Sequence, residues 1–170
     1  MKESLESVPL DEIDARILNT LQADASISNQ DLAANVHVSP ATALRRVRTL
    51  VDRGVIERRT ALLAPARVGG LQVLVEVQLD RQGAEHLDAF ESLAVADAAV
   101  QQCWRVAPGP DFVLVAWVPD MAAWNALVQR LFTQQANVRN VKSFFATRRA
   151  KFDPRVDARA LVSGAGSPAP

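Results

Sequence analysis

The sequence is poor in residues that carry chemistry. It holds one cysteine, Cys103, two histidines, His37 and His86, and no tyrosine. One cysteine excludes an intramolecular disulfide and gives no reason to expect an oxidising compartment. No Cys/His cluster has zinc spacing, so neither a metal nor another cofactor is expected. No glycine-rich phosphate loop is present, since Gly69-Gly70 reads as linker. No apolar run approaches the length of a membrane span. The opening M-K-E-S-L-E-S-V-P-L lacks the apolar core of a signal peptide, and the cytoplasm is the expected location. The stock of nucleophiles and general bases is thin: His37 and His86 read as surface side chains and Cys103 as a small apolar filler. No catalytic residue is assigned, and the chain is not expected to be an enzyme.

What is present describes a globular protein, with 49% hydrophobic and 22% charged residues in a chain of 170, enough for one ordinary domain or two small ones. Lys plus Arg and Asp plus Glu balance at 19 each, which taken alone argues against a nucleic-acid partner. The distribution says otherwise. Up to Val36 only Lys2 and Arg16 stand against seven acidic side chains, Asp11, Asp14 and Asp31 among them. From His37 to Arg59 the balance reverses, with Arg45, Arg46, Arg48, Arg53, Arg58 and Arg59 against Asp52 and Glu57.

The basic stretch is V-S-P-A-T-A-L-R-R-V-R-T-L-V-D-R-G-V-I-E-R-R, Val38–Arg59. Ser39 suits an N-cap, Pro40 the first helical position, and Gly54 a left-handed stop. Leu44, Val47, Leu50 and Val51 recur at the spacing of a buried stripe, with Ala41, Thr42, Arg45 and Thr49 roughly opposite. Such a helix suits a DNA major groove; a solvated amphipathic helix with basic residues near its C-terminus has the same pattern. Its neighbours add weight to the first reading. D-E-I-D-A-R-I-L-N-T-L-Q-A-D after Leu10 predicts a helix capped by Asp11, and Ser28-Asn29-Gln30-Asp31 opens a second, shorter one. Three helices, the last two closely linked, follow the helix-turn-helix plan. Val55–Leu63 reads as extended chain, a candidate wing or strand. There Arg58 and Arg59 either reach phosphates or blunt a solvated edge.

Ala64–Gly70 is the expected linker between residues 1–63 and 71–152. Beyond it the period changes. Leu71–Leu79 alternates as a strand, Gln82–Val95 as a helix, Val100–Val106 and Asp111–Val118 as strands, Met121–Gln134 as a helix and Val138–Lys151 as a last strand. The order β-α-β-β-α-β predicts an antiparallel ferredoxin-like sheet with both helices on one face, giving an α+β protein. Asp111–Val118 is apolar at successive positions, implying burial on both sides. Leu74, Cys103, Phe144 and Ala146 are expected on the uncovered face, where a second copy would pack as a homodimer. Residues 153–170 drift into a Ser/Gly/Ala/Pro tail, with the final ten expected to be disordered.

From Leu10 to Lys151 the chain resembles the leucine-responsive/asparagine regulator (Lrp/AsnC) family of transcription factors. The likeness lies in L-D-E-I-D-A-R-I-L-N-T-L-Q-A-D-A at 10–25, V-S-P-A-T-A-L-R-R-V-R-T-L-V-D-R-G-V-I at 38–56, D-F-V-L-V-A-W-V-P-D-M at 111–121 and N-V-R-N-V-K-S at 137–143. The resemblance implies double-stranded DNA as partner, bound at a palindromic operator by the helix-turn-helix. It further implies a C-terminal RAM-type βαββαβ domain that dimerises, assembles into tetramers or octamers and often binds an amino-acid effector. It places DNA reading on Ser39, Ala41, Thr42, Arg45, Arg46 and Thr49. Arg45 is the first choice for a guanine, and Arg46 and Arg48 are assigned to phosphate. The effector site is expected at Pro108, Gly109, Asp111 and Ser143. Pro108 stands where the family has a glycine and removes an N–H donor, and Asp111 has the alternative role of capping the turn. Some haem-pathway decarboxylases resemble the same two-domain plan, and a ligand-sensing oligomerisation module without operator binding is a third reading.

Overall fold

The computed structural model describes residues 8–162, so residues 1–7 of the expected lead-in and 163–170 of the expected tail lie outside the description. The described chain divides into two compact units. One runs as far as Leu62 and resumes at Phe152; the other is Leu63–Lys151.

In the first unit, α1 (Glu12–Ala23) begins at Asp11. Its carboxylate accepts from the Ile13 and Asp14 N–H groups, while the Asp14 carboxylate accepts from the Asp11 N–H. This reciprocal box satisfies the donors that a helix start leaves unpaired. Ser28 caps α2 (Asn29–Val36), which ends at His37 in the left-handed region, φ 57°. The His37 and Val38 N–H groups turn back onto Ala34 and Ala33 carbonyls, making the tight turn into α3 (Pro40–Asp52). The core gathers Ile17 and Leu18 of α1, Leu32 and Val36 of α2, and Val47 and Leu50 of α3.

Three expectations are corrected here. Leu44 and Val51 are exposed, and the small Ala43 is wholly buried in their place. Residues 57–64 form no strand; Val55 and Ile56 donate instead to the Leu50 carbonyl, folding the chain back under α3. Residues 153–162, expected as tail, pack on α1. Ala158 is buried, Asn19 and Gln22 each hold strap backbone, and Leu10 bridges Val162 in parallel.

The second unit begins with a single helical turn, α4 (Pro65–Val68), inside the expected linker. There follow β1 (Leu71–Leu79), α5 (Ala84–Ala96), β2 (Val100–Arg105), β3 (Phe112–Val118), α6 (Met121–Val128) with a π-helical extension over Gln129–Thr133, and β4 (Val138–Phe145). The strands pair antiparallel in the order β2-β3-β1-β4. β4 stops six residues short of Lys151 because β1 begins at Leu71 and the ladder runs out: Val73 faces Phe145, and Ala146 makes a last bond to Gln72.

One sheet face, Val73, Val75, Val77 and Leu79 with Phe112, Leu114, Ala116 and Val118, is sealed by Phe90 and Ala94 of α5 and Trp124 and Leu127 of α6. The other face carries Leu74, Trp104 and Phe144 exposed and Val113 and Val115 half-buried. Cys103, expected there, lies on the helix side. A bulge between Val100 and Gln102 shifts the phase of β2 and sets Cys103 opposite Leu114. At one end the Trp117 indole donates to the Gly69 carbonyl over Gly70, φ 88°, where a Cβ would fall 2.5 Å from the ring. Only glycine fits there.

Candidate nucleic-acid interface

α3 has one buried side, Ala43, Val47 and Leu50, and an opposite side bearing Ala41, Arg45, Arg48 and Thr49 exposed. Its start is fixed twice. Ser39 Oγ accepts from the Thr42 N–H at 3.2 Å and lies 2.9 Å from Thr42 Oγ1, while Asn29 Nδ2 donates to the Pro40 carbonyl at 2.9 Å. The second bond ties α2 to the start of α3. Thr49 Oγ1 donates to the Arg45 carbonyl, leaving its lone pairs to accept from a partner. Arg45 and Arg48 make no ion pair among the described residues; both guanidiniums stand in solvent on the outward side.

Arg46, expected at a phosphate, is held differently from Arg45 and Arg48. Its Nη1 donates to Asp11 at 2.6 Å and to Asp14 at 2.8 Å, the two carboxylates of the α1 capping box. Its side chain is only 22% exposed, and its Nε is buried without a partner. Burial acts to raise the Asp11 carboxyl, but bonds from the Asp14 N–H, Arg46 and the Ile13 N–H outweigh it and hold Asp11 below the usual carboxylate range. Beyond α3, Arg58 is bonded to the neighbouring Glu57 carboxylate, whereas Arg59 is exposed with no ion pair among the described residues.

The expected ligand residues separate. Asp111 is structural on three sides: its N–H donates to Val77, its carbonyl accepts from Val106, and its carboxylate accepts from the Leu79 N–H at 2.7 Å. Gly109, φ 122°, lines a hollow of about 200 Å³ with Glu76, Gln78, Pro110, Asn140 and Lys142 on the open face of the sheet. Pro108 is exposed in the turn beside it. Ser143 pairs with Val75 and faces the helix side, in a cavity of about 430 Å³ lined by Trp124 and Val128. The fold therefore does not bring Ser143 to Gly109. It brings Glu76 and Lys142 there instead, 3.9 Å apart. Their signal in the sequence was an acid and a base in otherwise outward-facing positions of two strands. Burial, aided by the Glu91 charge and opposed by Arg105, pushes the Cys103 thiol up, which disfavours its thiolate form. No described helix is long and apolar enough to cross a membrane.

Two family models match this chain. Winged helix-turn-helix DNA-binding covers residues 10–57, and the Lrp/AsnC ligand binding domain covers residues 72–156. An uncharacterized HTH-type transcriptional regulator of Haemophilus influenzae is 36% identical over 145 residues, 85% of this chain and 86% of that one. The leucine-responsive regulatory protein of Klebsiella pneumoniae is 34% identical over 148 residues, 86% and 90% of the two chains. Among solved structures, an AsnC family transcriptional regulator from Agrobacterium tumefaciens superposes with a TM-score of 0.81 at 30% identity, covering 90% of this chain and all of that one. A transcriptional regulator of Neisseria meningitidis in complex with L-Met does so with 0.81 at 28%, covering 90% and 99%. With a DNA-binding helix-turn-helix and a ligand-binding sheet domain matched in this order, the chain belongs to the Lrp/AsnC family of transcriptional regulators.

Proposed function

We propose that two copies pair through the open face of the sheet and present two α3 helices to a two-fold DNA site, under the control of a small effector such as an amino acid. The observation that carries the DNA reading is the division of α3. Buried Ala43, Val47 and Leu50 hold the helix, and Arg45 and Arg48 project from the opposite side with no ion pair among the described residues. Arg45 reads a guanine through O6 and N7, Ala41 and Thr49 contact base edges, and Ser39 and Thr42 sit at the helix start near the backbone. Arg48 and Arg59 bind phosphate, and Arg58 joins them when it leaves Glu57.

Pairing is supported by Leu74, Trp104, Val113, Val115 and Phe144, an apolar patch larger than one exposed side chain explains. Assembly of such dimers into tetramers or octamers is read from molar mass in solution. The effector reading draws on the Lrp/AsnC ligand binding match and on the L-Met complex of the neisserial relative. In this chain the Gly109 hollow, with Glu76 and Lys142, offers opposite charges to a zwitterion, Pro108 shapes the turn, and Asp111 holds it. Ser143 serves a separate cavity.

The test is binding to a duplex selected by the protein from random sequence and to its scrambled counterpart, at several salt concentrations. Arg45→Ala should cost about 1–3 kcal/mol on the selected duplex and little on the scrambled one. Equal discrimination by both proteins would overturn the assignment of Arg45.

A further inference from the structure

We propose that Arg46 is a positioning residue for DNA reading, a clip from α3 to the start of α1 that fixes the angle at which Arg45 meets a base. The proposal rests on α3 being the reading helix. Its ground is geometric. A single nitrogen, Nη1, reaches both carboxylates of the capping box, at 2.6 and 2.8 Å, across 35 and 32 residues of sequence. Asp11 and Asp14 are themselves fixed by main-chain N–H groups of α1, so the clip has a rigid anchor. Arg46 Nε stays buried and unpaired to allow it. An arginine waiting for phosphate would lie out in solvent, as Arg45 and Arg48 do.

Without the clip, α3 would still be held by Val47 and Leu50 on its inner side and by Ser39 and Asn29 at its start. It would be free to roll about that inner contact. A phosphate contact tolerates such a roll; a bidentate base contact does not, because its two bonds demand one plane. The clip therefore governs discrimination rather than charge attraction.

The experiment uses the full chain, the selected duplex and its scrambled counterpart, at a temperature where far-ultraviolet circular dichroism shows each protein folded. Arg46→Gln should lose at least about ten-fold of the preference for the selected duplex while its salt slope on scrambled DNA stays that of the parent. Arg48→Gln should lower that slope by about one. Asp11→Asn with Asp14→Asn keeps the capping oxygen but removes both charges. It should lower discrimination too, although lost negative charge alone would tighten binding. Arg46→Lys should recover part of the preference.

A slope lowered by about one in Arg46→Gln, with equal loss on both duplexes, would show a phosphate contact and overturn the proposal. A lowered melting temperature with preference and slope both intact would show a purely structural ion pair and overturn it equally. Should the parent protein select no sequence at all, the failure lies with the DNA reading and not with the clip.

Discussion

The two units hold their functional side chains by opposite means. In Leu63–Lys151 the order comes from a continuous apolar layer, four strands against two helices, and polar contacts lie at its edges. In the helical unit the core is smaller, and polar side chains reach across the fold to hold it. Arg46 clips α3 to α1, Asn29 ties α2 to Pro40, and Asn19 and Gln22 bind the returning strap. Close packing resists deformation in every direction, whereas a hydrogen bond resists it in one. A sheet face proposed to carry a second copy gains from the first. A helix proposed to meet DNA at one angle gains from the second.

The largest way to break this contrast is a cavity in the sheet. Leu114 is wholly buried in the core that the sheet shares with α5 and α6, and Leu114→Ala should cost about 2–5 kcal/mol in thermal or denaturant unfolding. Amide exchange should quicken along β1 and β3 and stay unchanged in α1 to α3. Equal quickening in both units would mean that they unfold as one, and the contrast would fail.

What the sequence disclosed follows the same line. Leu71–Leu79 was bounded to the residue because alternation of β-branched side chains is a local pattern. The three helices and their caps were legible for the same reason, each signal lying within four residues. The role of Arg46 was not, because its partners are more than thirty positions away and an arginine on a basic helix reads as charge. The returning strap was hidden by its Ser/Gly/Ala/Pro surroundings, its anchor being the amides of Asn19 and Gln22 and not an apolar run. Cys103 was placed on the wrong face because a one-residue bulge inverts a period of two. Ser143 and Gly109 were joined by resemblance, while the register sends Ser143 to the helix side.

A smaller effect tests the polar edge of the sheet unit. Arg130 donates to both oxygens of Asp97, burial opposes it, and the Ala99 N–H adds to it, so the Asp97 carboxyl lies below its ordinary value of 3.8. A depressed folded pKa gives stability that is present above the unfolded value and lost as pH falls through the folded one. Unfolding midpoints should therefore drop below about pH 4, and Asp97→Asn should flatten that part of the profile. An unaltered acid limb in Asp97→Asn would assign the loss to other carboxylates.

The smallest effect probes the turn before α3. His37 is the one non-glycine residue with positive φ among the described residues, and it makes no ion pair there that would offset its strain. A side chain in this region costs about 1–2 kcal/mol, and glycine returns part of that as lost unfolded-state restriction. His37→Gly should thus stabilise the helical unit by roughly 0.5–1 kcal/mol. The Schellman-type bonds from residues 37 and 38 to Ala34 and Ala33 need no side chain, so α3 should stay where it is and DNA discrimination should not change. If stability rises while discrimination falls, the His37 side chain has a part in the proposed interface beside α3, Arg58 and Arg59. If neither moves, the turn is relaxed despite its φ, and polar contacts from Asn29 and Ser39, not backbone conformation, set the start of α3.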